Sequence, residues 1–203
     1  MGRGLRNEDP TAIYHAVSRG NNRGPIVWDA GDRESLTGEL GRAATKYDWD
    51  VFAWCAMSTH YHVVLRAPKG GLSLGFQQIN GNHARRTNIR HGRVGHLFQN
   101  RFFAAVTSST VHFVAAVLYV ARNPVAAGVC RDAAAWPESS YRATAGLAAA
   151  PEWLAVDRVL ELFGTERKEA QAAYARLVHH GHLPVSDTIE EVARIEPLPR
   201  TGI

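Results

Sequence analysis

The stretch VFAWCAMSTHYHVVLRA, residues 51 to 67, carries two apolar, β-prone runs, VFAWCAM and HYHVVLRA, split by the short polar break Ser58-Thr59. Two such runs around so short a break predict a hairpin or adjacent strands at the centre of a sheet. Successive residues of a strand alternate faces, so His60 and His62 share one face while Tyr61 and Val63 share the other. Two imidazoles on one face of an apolar strand suit either a hydrogen-bonded structural pair or two ligands of one metal ion, and HxH alone does not choose.

Working outward, TAIYHAVSRG at residues 11 to 20 alternates Ile13, His15 and Val17 against Tyr14, Ala16 and Ser18, then enters the turn-prone RGNNRGP. This predicts a first strand leaving into a polar loop. Asp32 is a candidate cap for a helix in which Leu36, Leu40, Ala43, Ala44 and Tyr47 recur at helical spacing. After the glycine-rich turn at Lys69 to Gly71, a second helix is predicted over 72 to 91, with Leu72, Phe76, Ile79 and His83 on one face and Arg85, Arg86 and Arg90 farther along.

HLFQNRFFAAVTS, residues 96 to 108, is aromatic and β-prone. Ser109 opens a further helix expected to end near Pro124. Strand, helix, strand, strand, helix, strand fits an α+β, ferredoxin-like split β-α-β core whose antiparallel sheet is covered by helices on one face; the last helix is an addition. An alanine-rich stretch at 145 to 151 marks a soft boundary. The expected organisation is a catalytic domain over residues 1 to 145, a C-terminal helical extension over 146 to 183 and a loose tail over 184 to 203.

The composition is that of a folded chain, 45% hydrophobic and 21% charged, without collagenous, coiled-coil or disordered bias. No apolar run approaches the roughly 20 residues that span a bilayer, and MGRGLRNEDP has no apolar signal core, so a cytoplasmic protein without membrane partners is expected. Cys55 and Cys130 lack zinc spacing and are expected to be reduced core residues.

The net charge of +4 hides a strong asymmetry: residues 51 to 131 contain no Asp or Glu. Nine of the 23 basic residues lie there, leaving 14 to set against all 19 acidic ones. Arginine dominates, and its planar fork pairs well with phosphate oxygens, which makes nucleic acid the leading partner. A carboxylate-triad or two-metal nuclease would draw on acids that this window lacks. The expected DNA contacts are Arg85, Arg86, Arg90, Arg93, Gln99 and Arg101, with Arg19 and Asn21 in the loop after the first strand.

In LYVARNPV, residues 118 to 125, Tyr119 and Asn123 stand one helical turn apart and share a face. Either residue alone could simply pack or finish a helix. The blocks YHAVSRGN (14 to 21), MSTHYHVVL (57 to 65), GHLFQNRF (95 to 102), LYVARNPVAAGV (118 to 129) and WPESSYRA (136 to 143), with weaker ELFG and AYARLVHHG stretches out to 181, together resemble the REP-associated tyrosine transposase group of the HUH-type, IS200-like single-strand DNA transposases.

That resemblance implies the HUH endonuclease fold and a single-strand DNA endonuclease and strand transferase acting on hairpins of palindromic repeats. It implies Tyr119 as nucleophile, forming a 5'-phosphotyrosine, and His60, His62 and Asn123 as ligands of a divalent metal, Mg2+ or Mn2+. It implies hairpin or single-stranded DNA as partner, action as a monomer or homodimer, and association with the bacterial nucleoid. A catalytically silent hairpin-binding protein is the alternative, and a metal-dependent hydrolase on another substrate would leave Tyr119 unexplained. His15 and His112 are further candidates for supporting roles.

Overall fold

Strands β1 (Ile13–Arg19), β2 (Asp50–Ala56), β3 (His60–Arg66) and β4 (Phe103–Val106) form one antiparallel sheet in the order β2-β3-β1-β4. This is a computed structural model, and it describes residues 8–181. Helices α1 (Ala30–Tyr47) and α2 (Leu72–Arg90) connect the strands in the split β-α-β order expected. The expected tail at 184 to 203 lies outside the described residues.

Alternation divides the sheet between two cores. Tyr14, Ala16, Tyr61, Val63 and Leu65 pack with Leu36, Leu40, Phe76 and Ile79 of α1 and α2. Val64, Phe52, Ala53 and Cys55 pack instead with helix α3 (Thr110–Ala126) through Phe113, Ala116, Val117 and Val120. A bulge between Val51 and Ala53 lets two successive residues, Phe52 and Ala53, serve the α3 side. The sheet is therefore covered on both faces. The surface left for chemistry is where α3 crosses the histidine end of β1 and β3.

Local physics moves several boundaries. Helix α1 is capped by Asp29, whose carboxylate accepts from the Asp32 N–H; Asp32 lies in the first turn with its own carboxylate buried. The aromatic stretch after His96 yields only four residues of strand. Leu97 and Phe102 are spent plugging the first core, while the Asn21 N–H bonds the Leu97 carbonyl and the Gln99 N–H bonds the Arg19 carbonyl. Helix α3 runs two residues past Pro124 because the missing N–H falls in the last turn, which the Ala127 N–H to Asn123 carbonyl bond still closes.

The segment after α3 guards the edge of β2. The Ala56 N–H bonds the Glu138 carbonyl, the Ser140 N–H bonds the Trp54 carbonyl, and the Trp136 indole donates to the Ala56 carbonyl, so the edge offers no long row of open groups. Short helices α4 (Tyr141–Thr144) and α5 (Val156–Leu160) lead to α6 (Arg167–His180). Through Val159, Tyr174 and Val178 the C-terminal helices complete the core behind α3. Cys55 is buried as expected, whereas Cys130 is only partly so, and the two are not joined in a disulfide. Among the described residues no helix is long and apolar enough to cross a membrane.

Candidate active site

His62 is fully buried in mid-β3, and His60 is half-buried at its start. Their rings stand 5.0 Å apart and nearly perpendicular. The Thr59 hydroxyl lies 3.0 Å from His60 Nδ1, and His15 Nε2 lies 2.9 Å from His62 Nδ1. In both histidines the Nδ1 is engaged, which makes Nε2 the nitrogen a metal would take. That is the usual arrangement of ligating imidazoles, whose second nitrogen is held by an outer partner.

Helix α3 brings two more groups to this face. Asn123 is buried, with its Nδ2 3.4 Å from His62 Nε2. The Asn123 Oδ1 is buried without a hydrogen-bond partner, an arrangement that normally costs about 1–3 kcal/mol. One turn earlier, the half-buried Tyr119 ring meets His62 edge-on at 5.6 Å and His15 at 5.8 Å. Helix α3 packs on the sheet, which brings Tyr119 against the histidine end of β1 and β3.

Two imidazole nitrogens and an uncommitted amide oxygen fit a divalent cation of borderline hardness that keeps positions for phosphate and water. Among the described residues, the one group of three or more His, Cys, Asp or Glu ligand atoms lying close together is Asp29, Asp32 and His91. Those carboxylates already receive Arg90, His91 and backbone N–H groups and tie the start of α1 to the end of α2.

Residues 10–123 match the family described as Transposase IS200 like. The chain belongs to that family. The matched segment opens just before β1 and closes on Asn123, so it encloses every group of the candidate site. A REP-associated tyrosine transposase bound to a REP hairpin is similar in structure, with a TM-score of 0.61 at 18% identity over 74% of this chain and 89% of that one. A protein of Deinococcus radiodurans R1 described as a transposase matches with a TM-score of 0.40 at 21% identity, over 54% of this chain and 86% of its own. The tRNA(His) guanylyltransferase of Saccharomyces cerevisiae matches with a TM-score of 0.41 at 10% identity, over 90% and 86% of the two chains. No curated protein matches.

Within this IS200-like chain the expected DNA-contact residues fall into separate places. Arg19 pairs with His60 across β1 and β3, Asn21 and Gln99 are bonded to the strands' end and its facing loop, and Arg101 precedes Phe103, which pairs with Val17. These four gather at the histidine end of the sheet. Arg85, Arg86 and Arg93 are exposed on or just after α2, on the sheet's other face. Arg93 stacks over Trp28 at 4.8 Å. Arg90 bridges Asp29 and the buried Asp32 at 3.0 and 3.1 Å.

The same pairing thins the acid-free window's charge: Arg66 meets Asp50 and Lys69 meets Asp48, partners that precede the window in sequence. His112 bonds the Ser108 hydroxyl at the start of α3, two turns from Tyr119. Sequence reading had not singled out Trp28, and it left His15 as a candidate only; the signal for His15 was its same-face position on a strand beside His62. Tyr61 points the other way, donating to Asn80 Oδ1 at 2.7 Å, and burial pushes its phenol far above the usual range.

Proposed function

We propose that this IS200-like transposase is a metal-dependent single-strand DNA nicking and joining enzyme that works through a covalent 5'-phosphotyrosine at Tyr119. The observation that carries the reading is the edge-on packing of Tyr119 against His62, on the sheet face that also holds His60 and Asn123. A candidate nucleophile thus lies beside a neutral N/N/O donor set.

In the cut, the Tyr119 phenol oxygen attacks the phosphorus in line. A new O–P bond forms, the bond to the 3'-oxygen breaks, and the phenol's proton is lost as the 3'-oxygen gains one. Rejoining reverses this with another strand's 3'-hydroxyl, so the bond energy is retained and no nucleoside triphosphate is consumed. His60, His62 and Asn123 would hold Mg2+ or Mn2+, which when bound supplies positive charge to the non-bridging phosphate oxygens and the departing 3'-oxygen. Burial of His62 and Asn123 keeps these donors pre-aimed.

Arg19, Asn21, Gln99 and Arg101 flank this end of the sheet and would hold the strand by its phosphates, with Arg85, Arg86 and Arg93 lying farther off. Arg90 is left out because it is committed to two carboxylates. The substrate class we assign is a repeat hairpin with a single-stranded flank, supported by family membership and by the likeness to a transposase held on a REP hairpin.

The test is incubation with end-labelled hairpin DNA carrying a single-stranded flank, with Mg2+ or Mn2+, followed by a denaturing gel. A covalent adduct is expected with wild type and none with Tyr119→Phe. An adduct that survives in Tyr119→Phe would sink the assignment; binding with no adduct in wild type would identify a silent hairpin binder instead.

A further inference from the structure

We infer that His15 is a positioning residue for both working side chains of this site: its Nε2 holds His62 in the tautomer that can ligate, and its ring steadies the Tyr119 phenol. The inference rests on the metal-site reading above and adds a residue to it.

The sheet register sets the contact. His15 pairs with Val64 and Val17 pairs with His62, so His15 is the diagonal neighbour of His62 on the α3 face. His15 is 2% exposed and His62 fully buried, and their facing nitrogens are 2.9 Å apart. Two neutral imidazoles share one proton across such a contact. If His15 supplies it, the proton of His62 must sit on Nε2, where it would block ligation and face the Asn123 Nδ2 donor at 3.4 Å. If His62 Nδ1 supplies it, Nε2 presents a lone pair to that donor. The metal-site reading requires the second arrangement, in which His15 is the acceptor at 2.9 Å and a cation takes the Nε2 lone pair in place of the long Asn123 contact.

The same ring meets Tyr119 in an edge contact at 5.8 Å, while His62 meets it at 5.6 Å. The phenol is thus held between two imidazoles that are themselves locked together. The orienting partner is also chemically apt. A carboxylate in this place would bind the imidazole more strongly but would set a negative charge beside an incoming phosphodiester; a neutral imidazole orients without that repulsion.

The test compares His15→Phe, which keeps ring bulk against Tyr119 but accepts no hydrogen bond, with His15→Gln, which keeps an acceptor. Mn2+ binding to DNA-free protein is read by electron paramagnetic resonance, beside thermal unfolding and the kinetics of adduct formation. His15→Phe is expected to weaken Mn2+ about 10- to 100-fold and to lower the adduct rate at saturating DNA, with metal-free hairpin affinity unchanged. His15→Gln should recover most of the Mn2+ affinity. If Phe folds poorly, His15→Leu carries the same comparison. Wild-type Mn2+ affinity in the acceptor-free variant, alongside loss in His62→Ala, would overturn the role of His15 alone. Equal Mn2+ binding by wild type and His62→Ala would overturn the metal site itself.

Discussion

Tyr61 and His62 are consecutive residues that serve opposite faces of the sheet: the Tyr61 hydroxyl bonds Asn80 on α2, and the His62 ring lies against Tyr119 on α3. The tyrosine inside the histidine motif therefore belongs to the other core. Tyr61→Phe should leave adduct formation intact and cost about 1–3 kcal/mol by stranding the Asn80 acceptor. Tyr119→Phe should do the reverse, abolishing the adduct with little change in the unfolding midpoint. A denaturing gel and a urea titration on each variant check both halves.

Arg86 and Arg90 stand one turn apart on α2 yet should respond to different assays. Arg90→Ala removes one of the partners of the buried Asp32, leaving His91 and the Trp28 N–H, and should cost about 1–2 kcal/mol of stability. Arg86→Ala should change stability by less than about 0.5 kcal/mol. If Arg86 meets phosphate, its loss lowers the slope of log affinity against log salt by about 1. Fluorescence anisotropy with a hairpin across a salt series, beside urea melts, separates the two.

Gly20 lies where β1 turns into its polar loop, and a Cβ there would sit 2.0 Å from the Gly24 carbonyl oxygen. Backbone cannot swing aside as a flexible side chain can, so Gly20→Ala should cost about 1–3 kcal/mol. Because Asn21 and the Gln99 loop hang from this turn, hairpin affinity should fall as well. Affinity kept at wild-type level in a destabilised variant would show that the turn does not shape the DNA contact.

The Glu8 carboxylate accepts from the Leu72 and Ser73 N–H groups at 2.9 and 2.7 Å, capping α2 where Gly71 offers no side chain. Glu8→Ala should cost about 1 kcal/mol, as loss of a cap does elsewhere. Thermal unfolding reads this directly, and unchanged stability would show the cap to be replaceable by water.

His83 on α2 donates from Nε2 to the Ile26 carbonyl at 2.7 Å, and its Nδ1 is buried without a hydrogen-bond partner. Burial holds its pKa below the ordinary 6.5, outweighing the Ile26 carbonyl and the carboxylates of Asp32 and Glu39, with Arg86 pressing the same way as burial. The unfolded chain then binds the proton first. The stabilisation is whole above pH 6.5 and is lost as pH falls toward the folded value. Urea midpoints between pH 7.5 and 5 should decline more steeply for wild type than for His83→Gln, which keeps a donor and does not titrate; parallel curves would overturn this.

Much of the candidate site was legible because it depends on short-range periodicities. A two-residue spacing puts His60 beside His62, and a four-residue spacing puts Tyr119 beside Asn123. Helix and strand order likewise follows from local apolar pattern. What was not legible depends on partners far along the chain: Arg90 looked available to DNA because the acids that hold it, Asp29 and Asp32, lie about 60 residues earlier. The length of β4 was misjudged because Leu97 and Phe102 have strand-like character but are used as plugs in a loop. The hydrogen bond between His15 and His62 needed the register of two strands, which sequence alone does not supply.

The order of elements has one more consequence, for synthesis. All four strands are complete by Val106, whereas Tyr119 and Asn123 arrive later on a single helix. A chain emerging from the ribosome therefore displays its histidine pair before it owns either a nucleophile or the amide beside them. On the reading proposed above, nucleophile and donor set come together in one event, when α3 settles on the finished sheet.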